Sequence, residues 1–119
     1  MHNVRDFLNT FMEYASETYS ERDYEWIFNR VFDELSRLES GIVKSITRKN
    51  SSTVLWEAVT VGAATAIING VEHLNLDGFY DWVANDEFNK MITGATNSKP
   101  MIDSRIEYCR IKFSASNVQ

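Results

Sequence analysis

The segment TVLWEAVTVGAATAIING, Thr53–Gly70, decides the fold of this 119-residue chain. Its apolar residues cover nearly the whole circumference of a helix, and a helix that is apolar all round is buried on several sides. Small residues stand in its middle, at Gly62, Ala63, Ala64 and Ala66. Val, Thr and Ile would also suit a strand, but the segment is longer than ordinary strands. We therefore predict a central helix that ends at Asn69 and Gly70.

Helical periodicity precedes this segment. A first helix is predicted from Val4 to between residues 16 and 20. A second is predicted to begin near Ser20, where Asp23 resembles a capping arrangement, and to run to about Glu39 before Gly41. Its buried stripe is the clearest periodic pattern in the chain: Tyr24, Ile27, Phe28, Val31, Phe32, Leu35 and Leu38. Residues 41–52 are interpreted as mostly irregular.

Shorter helices are predicted after the central segment. Residues 79–92 form one broken or two short helices, with a break at Asn85 and Asp86. A last helix begins at Pro100, whose fixed φ suits a first helical position, and it buries Ile102, Ile106, Cys109 and Phe113. Packing is the expected role of the three tryptophans, Trp26, Trp56 and Trp82. The whole, 1–119, is predicted to be one all-α domain, a compact bundle of five to six helices around Val54–Ile68.

Composition narrows the class of protein. Hydrophobic residues make up 44% of the chain, which suits a globular protein rather than a disordered one. The single cysteine, Cys109, excludes an intramolecular disulfide and lies on an apolar stripe, so we interpret it as core packing. The N-terminus lacks a secretion pattern, and Glu57 interrupts the most apolar stretch. We expect a cytoplasmic protein without a membrane span.

The stretch TGATNSKP, Thr93–Pro100, is a candidate anion-binding or partner-binding site. The backbone N–H groups at a helix start attract anions. The polar side chains near this helix start are Thr93, Thr96, Asn97, Ser98 and Lys99, and Arg105 follows on one flank of the helix. The alternative is that Thr96, Asn97 or Ser98 only caps the helix and that Arg105 pairs with a carboxylate.

Other charged groups give weaker candidates. A basic island, Lys44, Arg48 and Lys49, would serve nucleic-acid binding if the fold placed it beside Lys99, Arg105, Arg110 and Lys112. Four carboxylates, Asp77, Asp81, Asp86 and Glu87, would serve a small hydrolase, although such runs are usually solvated helix faces. His2 and His73 lack the spacing of metal ligands, so we expect no metal and no cofactor.

Two stretches, VLWEAVTVGAATAI and DWVANDEFNKMITGATNSKPMIDSRIEYCRIKF, resemble the C-terminal helical region of the GmrSD-type domain. The shared features are an apolar helix, a short helix, a T-x-x-T-N turn and a closing helix with R-I-E. NVRDFLNTFME is similar to the segment that leads into that region. The family consists of bacterial restriction and phage-defence proteins with a ParB-like, sulfiredoxin-like nuclease fold.

The resemblance implies a role without catalysis. Family members carry their catalytic residues in an N-terminal region with a D-G-Q-Q-R type motif, and this sequence contains no such motif. No catalytic residue is therefore expected. The implied function is a helical module that braces or regulates a ParB-like nuclease domain, in cis or in trans. A nucleic-acid-binding accessory protein is the alternative, and self-association is expected if the central helix leaves an apolar patch uncovered.

Overall fold

Helix α3 (Thr53–Ile68) runs through the centre of the computed structural model, as its apolar sequence predicts. The structure describes residues 4–15, 21–38, 53–92 and 98–115. The other helices in these ranges are α1 (Val4–Ala15), α2 (Glu21–Leu35), α4 (Phe79–Trp82), α5 (Asp86–Ile92) and α6 (Lys99–Ser114). No strand occurs in the described ranges, so the predicted all-α bundle is confirmed.

The surroundings of α3 explain its apolar circumference. Helices α1, α2 and α6 all pack against it, and α5 packs against α6. Several α3 side chains have no exposed surface at all, namely Val59, Thr60, Val61, Ala63, Ala64 and Ala66. From residue 54 to residue 67 every α3 residue is buried or half-buried. The chain therefore covers its own central helix, and the exposed large apolar side chains lie mainly on other helices.

Two threonines inside α3 satisfy their hydroxyl groups within the helix. Thr60 Oγ1 donates to the carbonyl oxygen of Trp56 at 2.8 Å. Thr65 Oγ1 donates to the carbonyl oxygen of Val61 at 2.9 Å. Because both hydroxyl groups have acceptors within the helix, these two threonines do not oppose its burial.

Helices α3 and α6 approach closely at Gly62. A Cβ atom added there would lie 2.6 Å from the Cβ of Cys109 and 3.0 Å from the carbonyl oxygen of Ile106. Glycine is thus the residue that permits this crossing. Cys109 is fully buried, and burial raises the pKa of its thiol well above the usual range. It fills the core, as predicted.

A Schellman motif ends α3. The N–H of Val71 donates to the carbonyl of Ala66 at 3.1 Å, and the N–H of Gly70 donates to the carbonyl of Ile67 at 3.0 Å. These are the two bonds that define the motif. Gly70 has a φ of 111°, a backbone conformation that residues with a Cβ atom rarely adopt. The predicted stop at Asn69 and Gly70 is confirmed.

Helix α2 ends at Leu35, four residues before the predicted end at Glu39. The chain tightens there, since the N–H of Arg37 donates to the carbonyl of Glu34 and the N–H of Leu38 to that of Leu35. Such i to i+3 bonds commonly replace helical ones at a helix end. The α2 stripe is confirmed: Tyr24, Ile27, Val31, Leu35 and Leu38 are buried, and Phe28 and Phe32 pack against the core.

The prediction that all three tryptophans pack inside was wrong for one of them. Trp56 and Trp82 are buried, but 56% of the Trp26 surface is exposed. Met12 on α1 is also exposed, at 41% of its surface. Met12 follows the buried Phe11, and Trp26 precedes the nearly buried Ile27. Side chains at adjacent positions of a helix point about 100° apart. They belong to the outer faces of their helices.

The region after α3 has the two short helices that the sequence allows, with Asn85 between them. Asn85 Oδ1 accepts the N–H of Phe88 at 2.8 Å and so caps α5. Helix α6 begins one residue before the predicted Pro100, which lies in its first turn. Ile106, Cys109 and Phe113 are buried as predicted, and Ile102 is half-buried against the core. Among the described helices, none has the length and apolar character to cross a bilayer.

Candidate functional site

The start of α6 was the main candidate site, and the structure describes its last part. Ser98 occupies the N-cap position, but its side chain makes no capping hydrogen bond. Lys99 Nζ lies 3.0 and 3.1 Å from the two carboxylate oxygens of Asp103. Its charge is therefore matched within the same helix. Thr93, Thr96 and Asn97 lie outside the described residues.

Arg105 does not join a surface site, because only 4% of its surface is exposed. Burial lowers the pKa of its guanidinium, and the negative charge of Glu57 on α3 opposes that shift. Arg105 is therefore part of the interior rather than of an exposed basic strip. This arrangement agrees with the alternative in which Arg105 is matched by a carboxylate.

The remaining cations of α6 are also engaged. Arg110 pairs with Glu107 through both oxygens, and Glu107 Oε1 accepts the hydroxyl of Tyr14 on α1 at 2.8 Å. The hydrogen bond from Arg110 lowers the pKa of Glu107. Burial and then the bond to Glu107 raise the pKa of Tyr14 to about 12. This cluster ties α1 to α6. Lys112 Nζ lies 5.4 Å from the centre of the Tyr108 ring.

The basic island, Lys44, Arg48 and Lys49, lies outside the described residues. Its placement beside the α6 cations therefore stays a prediction. Within the described residues, those α6 cations pair with carboxylates or with an aromatic ring, as given above, instead of forming an open basic strip.

Glu34 is the centre of a polar cluster that the sequence analysis missed. Its side chain is buried on α2 and accepts the N–H of Leu74 at 2.8 Å. It also contacts Arg30 at 3.2 Å, Arg37 and His73 Nδ1 at 3.0 Å. Leu74 belongs to the segment between α3 and α4, residues 71–78, which we call the strap. Glu34 therefore fixes the strap to α2.

The two arginines around Glu34 reach the strap as well. Arg30 donates to the carbonyl of Glu72 at 2.7 Å, and Arg37 donates to the carbonyl of Leu74 at 2.9 Å. Burial raises the pKa of Glu34, but bonds from Leu74, Arg37, His73 and Arg30 outweigh it and lower the pKa from 4.5 to about 2. Glu34 is a structural carboxylate held in its charged form.

Asn75 ties the strap to α6. Its N–H donates to the carbonyl of Phe113 at 2.9 Å, and its Nδ2 donates to the carbonyl of Ala115 at 3.0 Å. Its Oδ1 accepts the N–H of Asp77 at 2.9 Å. One asparagine thereby satisfies the exposed carbonyl end of α6 and shapes the strap. The strap is held between α2 and α6 by polar groups.

An open groove lies between the end of α2 and α4, and we call it the α2–α4 groove. Its volume is about 430 Å³. The residues that line it include Arg37, Leu38, Leu76, Asp77, Tyr80 and Asp81. Of the four carboxylates considered for hydrolysis, Asp77 and Asp81 line this groove. Asp86 and Glu87 are instead exposed in the first turn of α5, so the four carboxylates lie in two separate places.

The positions of the two buried charges could have been found in the sequence. Glu34 follows Val31 by three residues and precedes Leu38 by four, so it lies on the buried stripe of α2. Arg105 has the same relation to Ile102 and Cys109 on α6. Periodicity thus indicates that both are buried. It gives no partner, since His73 and Leu74 are distant in sequence.

Metal binding and similarity to known proteins also bear on the function. Within the described ranges, no group of three or more His, Cys, Asp and Glu side chains is placed to hold a metal ion. Comparison with protein-family models, curated proteins and solved structures gives no match for this sequence. The resemblance to the GmrSD-type family therefore stays a prediction.

Proposed function

We propose that this chain is a non-catalytic helical module that braces or regulates a ParB-like nuclease domain of a bacterial restriction or phage-defence protein, in cis or in trans. The observation that carries the interaction role is the exposure of Trp26, at 56% of its surface. Tryptophan is the residue type most enriched among the energetically dominant positions of protein interfaces. The identity of the partner follows from the sequence resemblance.

The surroundings of Trp26 suit a contact surface. The residues Glu25 and Asn29 near it on α2 are exposed, while Ile27 and Val31 fix the opposite side of the helix in the core. The indole is thereby presented on a helix that the core holds in place. Such rigid presentation limits the entropy lost when a partner binds.

The contacts of Glu34 and Glu107 support a structural rather than a catalytic role for these two carboxylates. Glu34 joins α2 to the strap, and Glu107 joins α1 to α6. Each carboxylate has its pKa lowered by groups that also hold the fold together. General acid catalysis instead needs a carboxyl whose pKa is raised toward neutral pH.

The test is a binding measurement with the nuclease. The tagged full chain is used to capture proteins from its source organism, and a captured polypeptide with a D-G-Q-Q-R type motif is then purified. We expect Trp26→Ala to weaken its affinity about 30-fold, since such interface positions contribute about 2 kcal/mol or more. Glu25→Ala, an exposed neighbour, is the matched control and should leave affinity nearly unchanged.

The free energy of unfolding is measured for Trp26→Ala and Glu25→Ala, because a surface substitution should change it by no more than about 0.5 kcal/mol. Equal binding by the wild-type chain and Trp26→Ala would remove Trp26 from the proposal. Capture of nucleic acid without any such polypeptide would instead favour the accessory nucleic-acid binder.

A further inference from the structure

The outer face of α2 carries an exposed stripe of four residues, Arg22, Trp26, Asn29 and Asp33. We call it the α2 outer stripe. Its members follow one another at spacings of four, three and four residues, which keep side chains on one side of a helix. At about 100° per residue, that side lies opposite the buried side of α2, which packs against α3.

The α2 outer stripe places an aromatic ring between two opposite charges. Trp26, near its middle, is 56% exposed. Arg22 and Asp33 stand at its two ends, and neither forms an ion pair with another described residue. The ion pairs of α2 centre instead on Glu34, which lies on the buried side of the helix. The stripe therefore offers an uncovered indole and two charges that no described residue matches.

The order of residues in the α2 outer stripe is complementary to its own reverse. When two copies of α2 lie antiparallel about a two-fold axis between residues 27 and 28, Arg22 lies opposite Asp33 of the second copy and Trp26 lies opposite Asn29. Each contact occurs twice, because a two-fold interface uses the same surface of both copies. A parallel pair would instead set Arg22 against Arg22 and Asp33 against Asp33, which is repulsive.

We propose that this chain forms a two-fold symmetric dimer through the α2 outer stripe, with the two α2 helices antiparallel. The indoles of Trp26 lie side by side at the axis and supply the apolar contact, and each indole N–H donates to the amide oxygen of Asn29. The charged ends fix the antiparallel register.

The size of the contact predicts a weak dimer. Helix α2 has 15 residues and is about 22 Å long, so a pair of such helices lies at the small end of specific interfaces. We expect a dissociation constant of about 0.1 mM. This dimer also differs from self-association through an uncovered central helix, because α3 is covered by the rest of the chain.

The inference does not rest on the proposed nuclease partner, since it concerns the chain alone. It does add a consequence for that partner. The dimer covers Trp26, so self-association competes with any protein that binds this side chain. The two proposals are tested separately, because binding to the nuclease is measured at chain concentrations far below those at which the dimer forms.

The test is sedimentation velocity of the full chain at concentrations from about 10 µM to about 1 mM, which bracket the expected dissociation constant. Arg22→Asp alone and Asp33→Arg alone each set like charges opposite one another twice, so each should weaken the dimer at least about tenfold. An equimolar mixture of the two variants restores opposite charges at both ends and should associate within about twofold of the wild-type chain. The control is Lys90→Asp, a charge reversal at an exposed position of α5, which should change association less than about twofold.

A second readout needs no variant. On dilution of the wild-type chain, the indole N–H resonance of Trp26 should shift, while those of the buried Trp56 and Trp82 should not. A wild-type chain that stays monomeric up to about 1 mM, or a Trp26 resonance that dilution does not move, would overturn the proposal. A mixture of folded Arg22→Asp and Asp33→Arg chains that stays monomeric would overturn it too, as would a Lys90→Asp chain weakened as much as Arg22→Asp.

Discussion

The α3–α6 crossing is held by apolar packing, whereas the strap adds directional polar bonds to the burial of Leu74. At the crossing, Gly62 lets the two helices approach and Ile106 is buried between them. At the strap, Glu34 and Asn75 supply directional hydrogen bonds to backbone groups of residues 74 and 113, respectively. Burial of apolar surface is non-directional and does not depend on pH. The charged bonds of the strap depend on both geometry and protonation.

This difference predicts that the crossing and the strap lose their structure under different changes. Loss of apolar packing at the crossing should destabilise the whole bundle, because α3 contacts α1, α2 and α6. Loss of the Glu34 bonds should first loosen the strap, which the buried Leu74 and the hydrogen bonds of Asn75 would still hold to the bundle. Segments outside regular helices often open locally at a free energy below that of global unfolding.

The largest effect is expected from Ile106→Ala at the crossing. Ile106 is 1% exposed, and such truncations usually cost about 2–5 kcal/mol. The matched control is Ile111→Ala, the same substitution on the same helix at a position that is 53% exposed. Urea unfolding followed by circular dichroism measures both. Equal losses for the two variants would contradict the assignment of Ile106 to the core.

A smaller loss is expected from Glu34→Gln, about 1.5–3 kcal/mol, since hydrogen bonds to charged groups contribute about that much. The adjacent exposed Asp33→Asn is the control. Hydrogen exchange at pH 7 should show faster exchange of the Leu74 amide, while amides of α3 keep their protection. Uniform acceleration across the bundle would mean that the strap and the crossing form one cooperative unit.

The Glu34 contribution should also disappear in acid. Its pKa lies near 2 in the folded chain, below the usual 4.5, so its stabilisation is present above pH 4.5 and is lost as pH falls toward 2. The stability difference between the wild-type chain and Glu34→Gln should therefore shrink across that window. Urea titrations at successive pH values measure it. A difference that stays constant from pH 7 to pH 2 would contradict the role given to this carboxylate.

Local sequence patterns predict the helices of the core but do not predict the polar contacts of the strap. The central helix, its stop at Gly70 and the stripe of α2 follow from local periodicity and turn chemistry. Those rules act within a few residues, and the structure agrees with them. The strap depends on contacts between Glu34 and Leu74, which are 40 residues apart. No local pattern specifies that pairing.

The candidate site shows the same limit. Residue type made Arg105 a candidate for binding anions, but its position on the α6 stripe placed it in the interior. Trp26 was expected to pack because tryptophan usually does, yet it is out of register with Ile27 and Val31. At both positions the helical phase is a better guide to burial than the residue type. The α2–α4 groove could not be predicted, because it forms where segments distant in sequence meet.

The smallest effect, and the sharpest test of the crossing, is Gly62→Ala. Helix propensity alone predicts that this change stabilises the chain by about 1 kcal/mol. The close approach to Cys109 predicts the opposite, because overpacking costs about 1–3 kcal/mol. The sign of the change in unfolding free energy therefore decides between the two. Cys109→Gly removes the atom nearest to the added methyl group, so the double variant should lose less stability than the two single changes together. Strictly additive changes, or a more stable Gly62→Ala chain, would mean that α3 and α6 are not in close contact at this point.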